Sequence, residues 1–259
     1  MTSLIIGVAI LVVFTLVSGV WSTAACSTDT LSVAEGPDGE EILLQVDRNL
    51  NPESYEMYRK LINVEPDGSK KEFVLYTIKK GQDRMIALFL SPASEKGRST
   101  LRLDENMWLY LPNVGRPIRI TSLQSVVGGV FNNSDLLRLD YSTEYLVESL
   151  EDNEGEYLLR LKARTGTVAY DHLEMVVNKE HILPTEIRCY ASSGILIKTL
   201  RYSDMKDFGN GVVRPGMLET DSPLQKGYRS VMIFAKIKAR EFTDEVFTLS
   251  YLPKVEELR

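Results

Sequence analysis

The sequence predicts a mainly β fold of antiparallel strands, and three observations carry that prediction. Short segments rich in apolar, β-branched and aromatic residues recur at about 10–15-residue intervals from Tyr55 to Arg240. Gly, Pro, Asp and Asn cluster in the gaps between them, where chain reversal needs positive φ or a pre-set φ. Helical periodicity shows in only two regions, too few for the crossovers that a parallel sheet requires.

The chain opens on Leu4 to Val20, an apolar run without charge, followed by Trp21-Ser22-Thr23-Ala24-Ala25-Cys26. Small residues after an apolar core mark a secretory signal, so residues 1–25 are expected to be a signal peptide. The run also approaches the length of a membrane span, which leaves a retained N-terminal anchor as the rival. Cys26 after Thr23-Ala24-Ala25 resembles a bacterial lipobox, whose cysteine is lipidated. Plain cleavage beside it would instead leave Cys26 in the mature chain, unpaired or bridged to Cys189. Residues 26–39 read as a polar tether, and residues 40–259 as a single domain, within the size that one β domain reaches.

Glu40 to Arg48 places Ile42, Leu43 and Val46 on one helical face, and Asn51-Pro52 ends it. Tyr55–Val64 and Glu72–Lys79 flank the turn Glu65-Pro66-Asp67-Gly68 and form a hairpin. Arg84–Leu90, Ser99–Leu103 and Met107–Leu111 follow as strands. Tyr145–Leu150 and Tyr157–Ala163 form a second hairpin across Glu151-Asp152-Asn153-Glu154-Gly155. Strands at Ala169–Asn178, Thr185–Ala191, Leu196–Asp204, Val212–Glu219 and Ser230–Arg240 complete the series.

One stretch departs from this pattern. Leu123, Val126, Val127, Val130 and Phe131 fall at i, i+3, i+4, i+7 and i+8, which is a helical face. Gly128 and Gly129 interrupt it, each costing about 1 kcal/mol against Ala. The reading is a marginal apolar helix with a glycine hinge, serving as a plug or a movable lid over an apolar cavity. Asn132-Asn133-Ser134 then caps a short helix at Asp135–Leu139.

The residue types exclude several function classes. A net charge of -6 with only paired lysines (Lys70-Lys71, Lys79-Lys80) argues against nucleic acid. There are two histidines, His172 and His181. On a strand, Asp171 and His172 point to opposite faces, so no metal set is expected. The chain carries neither a nucleophile elbow nor a phosphate loop. Cys189 lies in an apolar strand pattern and reads as a small buried hydrophobe. An enzyme is not expected, and no cofactor is implied.

Apolar residues instead occupy both faces of some strands. In Arg84–Leu90, Ile86, Leu88 and Leu90 alternate with Met85, Ala87 and Phe89; in Met107–Leu111, Trp108 and Tyr110 alternate with Met107, Leu109 and Leu111. A sheet with one wet face would alternate polar and apolar residues. The second greasy face must therefore meet another layer, a helix or a ligand.

The segment 97–139, GRSTLRLDENMWLYLPNVGRPIRITSLQSVVGGVFNNSDLLRL, resembles the LolA-like outer-membrane lipoprotein-sorting family. The resemblance rests on Met107-Trp108-Leu109-Tyr110-Leu111-Pro112, Gly115-Arg116-Pro117 with Arg119-Ile120, and Phe131-Asn132-Asn133-Ser134-Asp135. It extends to Asp47, Asn51 and Pro52 and to the closing Phe242–Pro253. It implies an incomplete, half-open antiparallel β-barrel of about eleven strands with covering helices. It further implies a non-catalytic periplasmic carrier or sensor for lipoprotein acyl chains or lipid, in lipoprotein sorting or envelope lipid transfer. An inner-membrane exporter is a possible neighbour, and acylation of Cys26 would tether the protein to a membrane.

On this reading Ile86, Leu88, Leu90, Trp108, Tyr110, Met175 and Val177 line the acyl cavity. Leu123, Val126, Val127, Gly128, Gly129, Val130 and Phe131 form the lid, and Arg116 and Arg119 are the candidates to contact it. The reading requires an oily hollow that the protein's own side chains leave vacant. Its alternative is a structural or interaction module of the envelope with a self-filled barrel.

Overall fold

Strand β1 (Tyr55–Val64) alternates buried and half-buried positions without a break, as period-2 geometry demands of a strand with one face on a core. It is the sixth strand of a 13-stranded antiparallel sheet. The computed structural model describes residues 36–209 and 211–259, and residues Gly36–Arg259 form one compact unit. The apolar run 4–20 and Cys26 lie outside the described residues.

On one side of β1 stand β2 (Lys70–Lys80), β3 (Arg84–Ser91), β4 (Ser99–Leu103), β5 (Asn106–Tyr110) and β6 (Pro117–Ile120), paired in chain order. On the other stand β13 (Arg229–Ala239), β12 (Val213–Asp221), β11 (Leu196–Asp207), β10 (Leu183–Tyr190), β9 (His172–Asn178), β8 (Glu156–Ala163) and β7 (Tyr145–Asn153). The sheet therefore starts at β6, ends at β7 and does not close. These edge strands are consecutive in the chain, so the segment 121–144 that joins them runs from one edge of the sheet to the other. The sheet is mainly β and half-open as the sequence implies, with thirteen strands rather than about eleven.

Helix α1 (Gly39–Leu50) starts where Asp38 accepts a hydrogen bond from the Glu40 amide and ends at Asn51. It buries Ile42, Leu43, Val46, Asp47 and Leu50, the face that its spacing predicts extended by one turn. The segment 121–144 carries two single-turn helices, α2 (Asn133–Leu136) and α3 (Tyr141–Glu144).

Two apolar cores lie on opposite faces of the sheet. The inner core gathers α1, segment 121–144 and inward residues of most strands, including Tyr55, Met57 and Leu61 of β1 and Met85, Ala87 and Phe89 of β3. The outer core is smaller. Tyr76, Ile78, Ile86, Leu88 and Leu101 pack there under Phe242, Val246, Phe247, Leu252 and Val255 of the closing segment. That segment contains two 3-10 helices, Asp244–Phe247 and Leu252–Leu258. The two greasy faces of β3 thus serve two different cores.

The hinged helix expected at 123–131 is absent. Val126–Gly129 instead make a tight turn, closed by the Gly129 amide donating to the Val126 carbonyl at 3.0 Å. Its central residues Val127 and Gly128 have φ of 45° and 76°, the signature of a type I′ hairpin turn. Ser125 and Asn132 pair across it, and the Val126 amide donates to the Phe131 carbonyl at 2.9 Å. The i, i+3, i+4 spacing is satisfied by a hairpin because its apolar residues, Val126 and Phe131, still point to one core.

Candidate ligand-binding interior

The inner face of the sheet is covered by α1 and by segment 121–144, and named side chains hold that cover in place. Asn132 and Asp135 form a reciprocal capping box at α2, each side chain accepting the other's amide at 3.0 Å. Lys198 of β11 donates to Asp135 at 2.9 Å and also to the Val130 carbonyl. The Tyr170 hydroxyl donates to the other Asp135 oxygen at 2.9 Å. From β1, Arg59 Nη2 donates to the Leu136 carbonyl at 2.8 Å and to Thr77 Oγ1 at 2.7 Å. From β4, Arg102 donates to the Leu137 carbonyl at 3.1 Å and pairs with Glu144 in a buried bridge.

Helix α3 borrows its cap from α1. Asp47 accepts the Tyr141 amide at 2.7 Å and the Ser142 amide at 2.9 Å, two of the donors that a helix start leaves without partners. Burial, with Asp140 close by, raises the Asp47 carboxyl to about 6. Lys79, itself buried, pairs with Asp140.

Beneath the cover the interior is nearly full. The space bounded by Tyr55, Met57, Arg59, Arg138, Arg214 and Phe234 amounts to about 40 Å³. A single water needs about 10–15 Å³ on that measure, so a few waters fit and an acyl chain does not. At this pocket the oily hollow expected from the sequence is a space of only a few waters. Larger hollows lie elsewhere, about 310 Å³ beside Arg102, Glu144 and Arg164 and about 260 Å³ beside Asp47, Arg48 and Asp140.

The residues read from the sequence as cavity lining divide between the faces. Met175 and Val177 are fully buried in the inner core. Ile86 and Leu88 are buried in the outer core, and Leu90, Trp108 and Tyr110 pack against it. The alternation of β3 and β5 was apparent, but with both sets apolar the pattern could not say which faces inward. The inner set is Met85, Ala87 and Phe89 with Met107.

The lid residues lie in the cover, as a hairpin turn rather than a helix. Val126, Val130 and Phe131 are buried and Leu123 is exposed. Arg116 and Arg119 are exposed, and Arg119 donates to Asn106 of the neighbouring strand β5 rather than to the cover. Arg59 and Arg102 make those contacts instead. Their signal was present in the sequence: Arg59 shares the alternate positions of Tyr55, Met57 and Leu61.

His172 and His181 are surface residues, and among the described residues no three His, Cys, Asp or Glu side chains are placed to hold a metal. Cys189 is a free, fully buried thiol, and burial pushes its pKa up.

Solved structures with this architecture include a LolA superfamily protein from Nitrosomonas europaea, 26% identical, with a TM-score of 0.75; the match covers 83% of this chain and 100% of that one. A family model described as "-like: Uncharacterized protein" matches residues 81–254, well over half of the chain. The chain belongs to this LolA-like family.

Two further solved structures share the LolA-like fold. A DUF1329 family protein from Desulfovibrio piger is 21% identical, with a TM-score of 0.71, over 83% of this chain and 97% of that one. An outer membrane lipoprotein-sorting protein domain from Vibrio parahaemolyticus is 18% identical, with a TM-score of 0.69, over 83% and 98%. No curated protein matches the sequence.

Proposed function

We propose that this protein is a non-catalytic carrier or sensor of the periplasm, taking acyl chains of lipoproteins or lipids against the inner face of its sheet. The observation that carries the reading is the composition of the inner core. Met57, Met85, Met107, Met175 and Met232 all lie in it, five of the eight methionines in the chain. Methionine adapts to irregular shapes and is favoured where one surface must accept varied apolar partners. Over that core lies a cover of short turns held by side-chain contacts, the element that has to shift to admit a chain. The gain is large, since each buried CH₂ contributes about 0.8 kcal/mol.

On this reading residues 1–25 direct export, and Cys26, if acylated, tethers the domain at residues 40–259 beside an inner-membrane exporter. The contributing inner residues are Met85, Phe89, Met175 and Val177, and the mobile element is the segment from Leu123 to Phe131 with α2.

The tightly filled interior favours a second reading, an envelope interaction module whose barrel serves as a scaffold. Native mass spectrometry after delipidation and reloading separates the two. Retention of a fatty acid, with displacement of a fluorescent analogue, supports the carrier. Complete failure to take up either leaves the scaffold.

A further inference from the structure

We propose that the inner pocket between β1, β12 and the end of α1 is an anion site, in which Arg59, Arg214 and Arg138 receive a carboxylate or a phosphate. The inference deepens the carrier reading by giving the ligand a charged head, and its test can fail separately from that reading.

Three guanidinium groups border one small space. Arg59 and Arg214 are 5% and 3% exposed, and both line the pocket with Arg138. Arg59 donates to Thr77 Oγ1, the Leu136 carbonyl and, at 3.4 Å, the Met232 sulfur, none of them an anion. Its Nε is buried, and no protein group accepts from it. Arg214 donates to the Leu50 and Pro215 carbonyls and the Asn51 side-chain oxygen, and stacks on Phe234 at 4.3 Å. It too has neutral partners only.

Arg138 lies on the cover. It bonds the hydroxyls of Tyr141 and Tyr202 and stands 3.9 Å from Asp135. That carboxylate is already engaged by Lys198 and Tyr170. The acidic charge in reach is therefore less than the basic charge assembled.

A buried cation without a counter-charge is costly, and proteins pair such groups or bind ions with them. Burial and the repulsion of neighbouring arginines lower both Arg59 and Arg214 to about 10, which leaves them charged at neutral pH. Guanidinium offers a planar fork of donors matched to carboxylate or phosphate oxygens. The free volume of about 40 Å³ is the size of such a head group, not of its tail. An anion here would offset two buried cations together.

The test is calorimetric titration of the full chain with dodecanoate, dodecanol and inorganic phosphate, kept below micelle formation, in wild type, Arg59→Gln and Arg214→Gln. Dodecanoate is expected to bind at least tenfold more tightly than dodecanol, with the preference lost in each variant. Circular dichroism establishes that the variants fold; if either does not, the wild-type comparison of dodecanoate with dodecanol decides alone.

Arginine-dependent binding of phosphate would show that a free anion suffices, whereas a dodecanoate preference without phosphate binding would assign the anion to an amphiphile's head. Equal affinity for dodecanoate and dodecanol overturns the anion site and leaves the carrier standing. Phosphate binding with neither dodecyl compound bound supports the anion site and removes the carrier. Arginine-independent binding of both anions overturns the inference.

Discussion

The side chain of Asn63 occupies the space in which a side chain on Gly129 would begin: a Cβ there would lie 2.1 Å from Asn63 Oδ1. Asn63 is held in that position from two directions. It donates to the Val127 carbonyl at 3.2 Å and accepts from Ser230 Oγ at 2.8 Å, while Ser230 in turn accepts the Val130 amide at 2.9 Å. Gly129→Ala is therefore expected to destabilise the protein by about 1–3 kcal/mol, the usual cost of overpacking. Gly129→Ala with Asn63→Ala should cost less than the sum of the two single changes. Denaturant unfolding of the cycle measures this, and strict additivity would remove the contact from the account.

The bridge between Arg102 and Glu144 is buried on both sides, at 5% and 8% exposure. Removing one partner leaves the other as an uncompensated charge, so Glu144→Ala should lower stability by about 3–5 kcal/mol. Arg102→Met with Glu144→Leu removes both charges and should recover most of that loss. Chemical denaturation of the three variants checks it; a double variant as weak as the single one would point to the Leu137 and Asp104 carbonyl contacts of Arg102 instead.

Asp47 gives stability a defined pH dependence. Its carboxyl titrates at about 6 in the folded chain against an ordinary 3.8, chiefly through burial and next through Asp140. Between those values the folded chain holds a proton that the unfolded chain has released, so this group's contribution to stability falls as pH rises from about 4 to 6. Measured as wild type minus Asp47→Asn, unfolding free energy should decrease by about 2–3 kcal/mol across that window and stay level above it. A flat difference would place the carboxyl near its ordinary value.

Cys189 should be inert while the chain is folded. The thiolate is the reactive form, and burial raises the thiol pKa here. In a Cys26→Ser background, alkylation by iodoacetamide at pH 8 should proceed only after unfolding by denaturant. Rapid labelling of the native protein would mean that β10 opens locally.

Much of this fold was readable because strands with one buried face announce themselves by alternation, as β1 and β9 do. β6 was missed because Pro117–Ile120 is a short edge strand with no buried residue. Segment 123–131 was misread because a hairpin turn and a helix can place the same valines on one side. Type I′ geometry is normally signalled by Asn-Gly, and here Val127 holds the first positive-φ position. The interior site was harder still. Residue spacing showed which side chains share a face, but two apolar faces on β3 left inside and outside interchangeable. That choice was made by the closing segment at 242–258, far away in the chain. The buried arginines had the right parity, yet an arginine reads as exposed until its partners are known.

The two borders of the sheet are successive in the chain, and that has a mechanical consequence. A flap hinged at one end swings away and leaves its frame untouched. Segment 121–144 is instead a strap fastened to both rims, at β6 and at β7. It can bow outward only as far as its slack allows, unless the rims draw together or part. Any widening of the mouth pulls it taut, so the width of the gap and the position of its cover form a single mechanical variable.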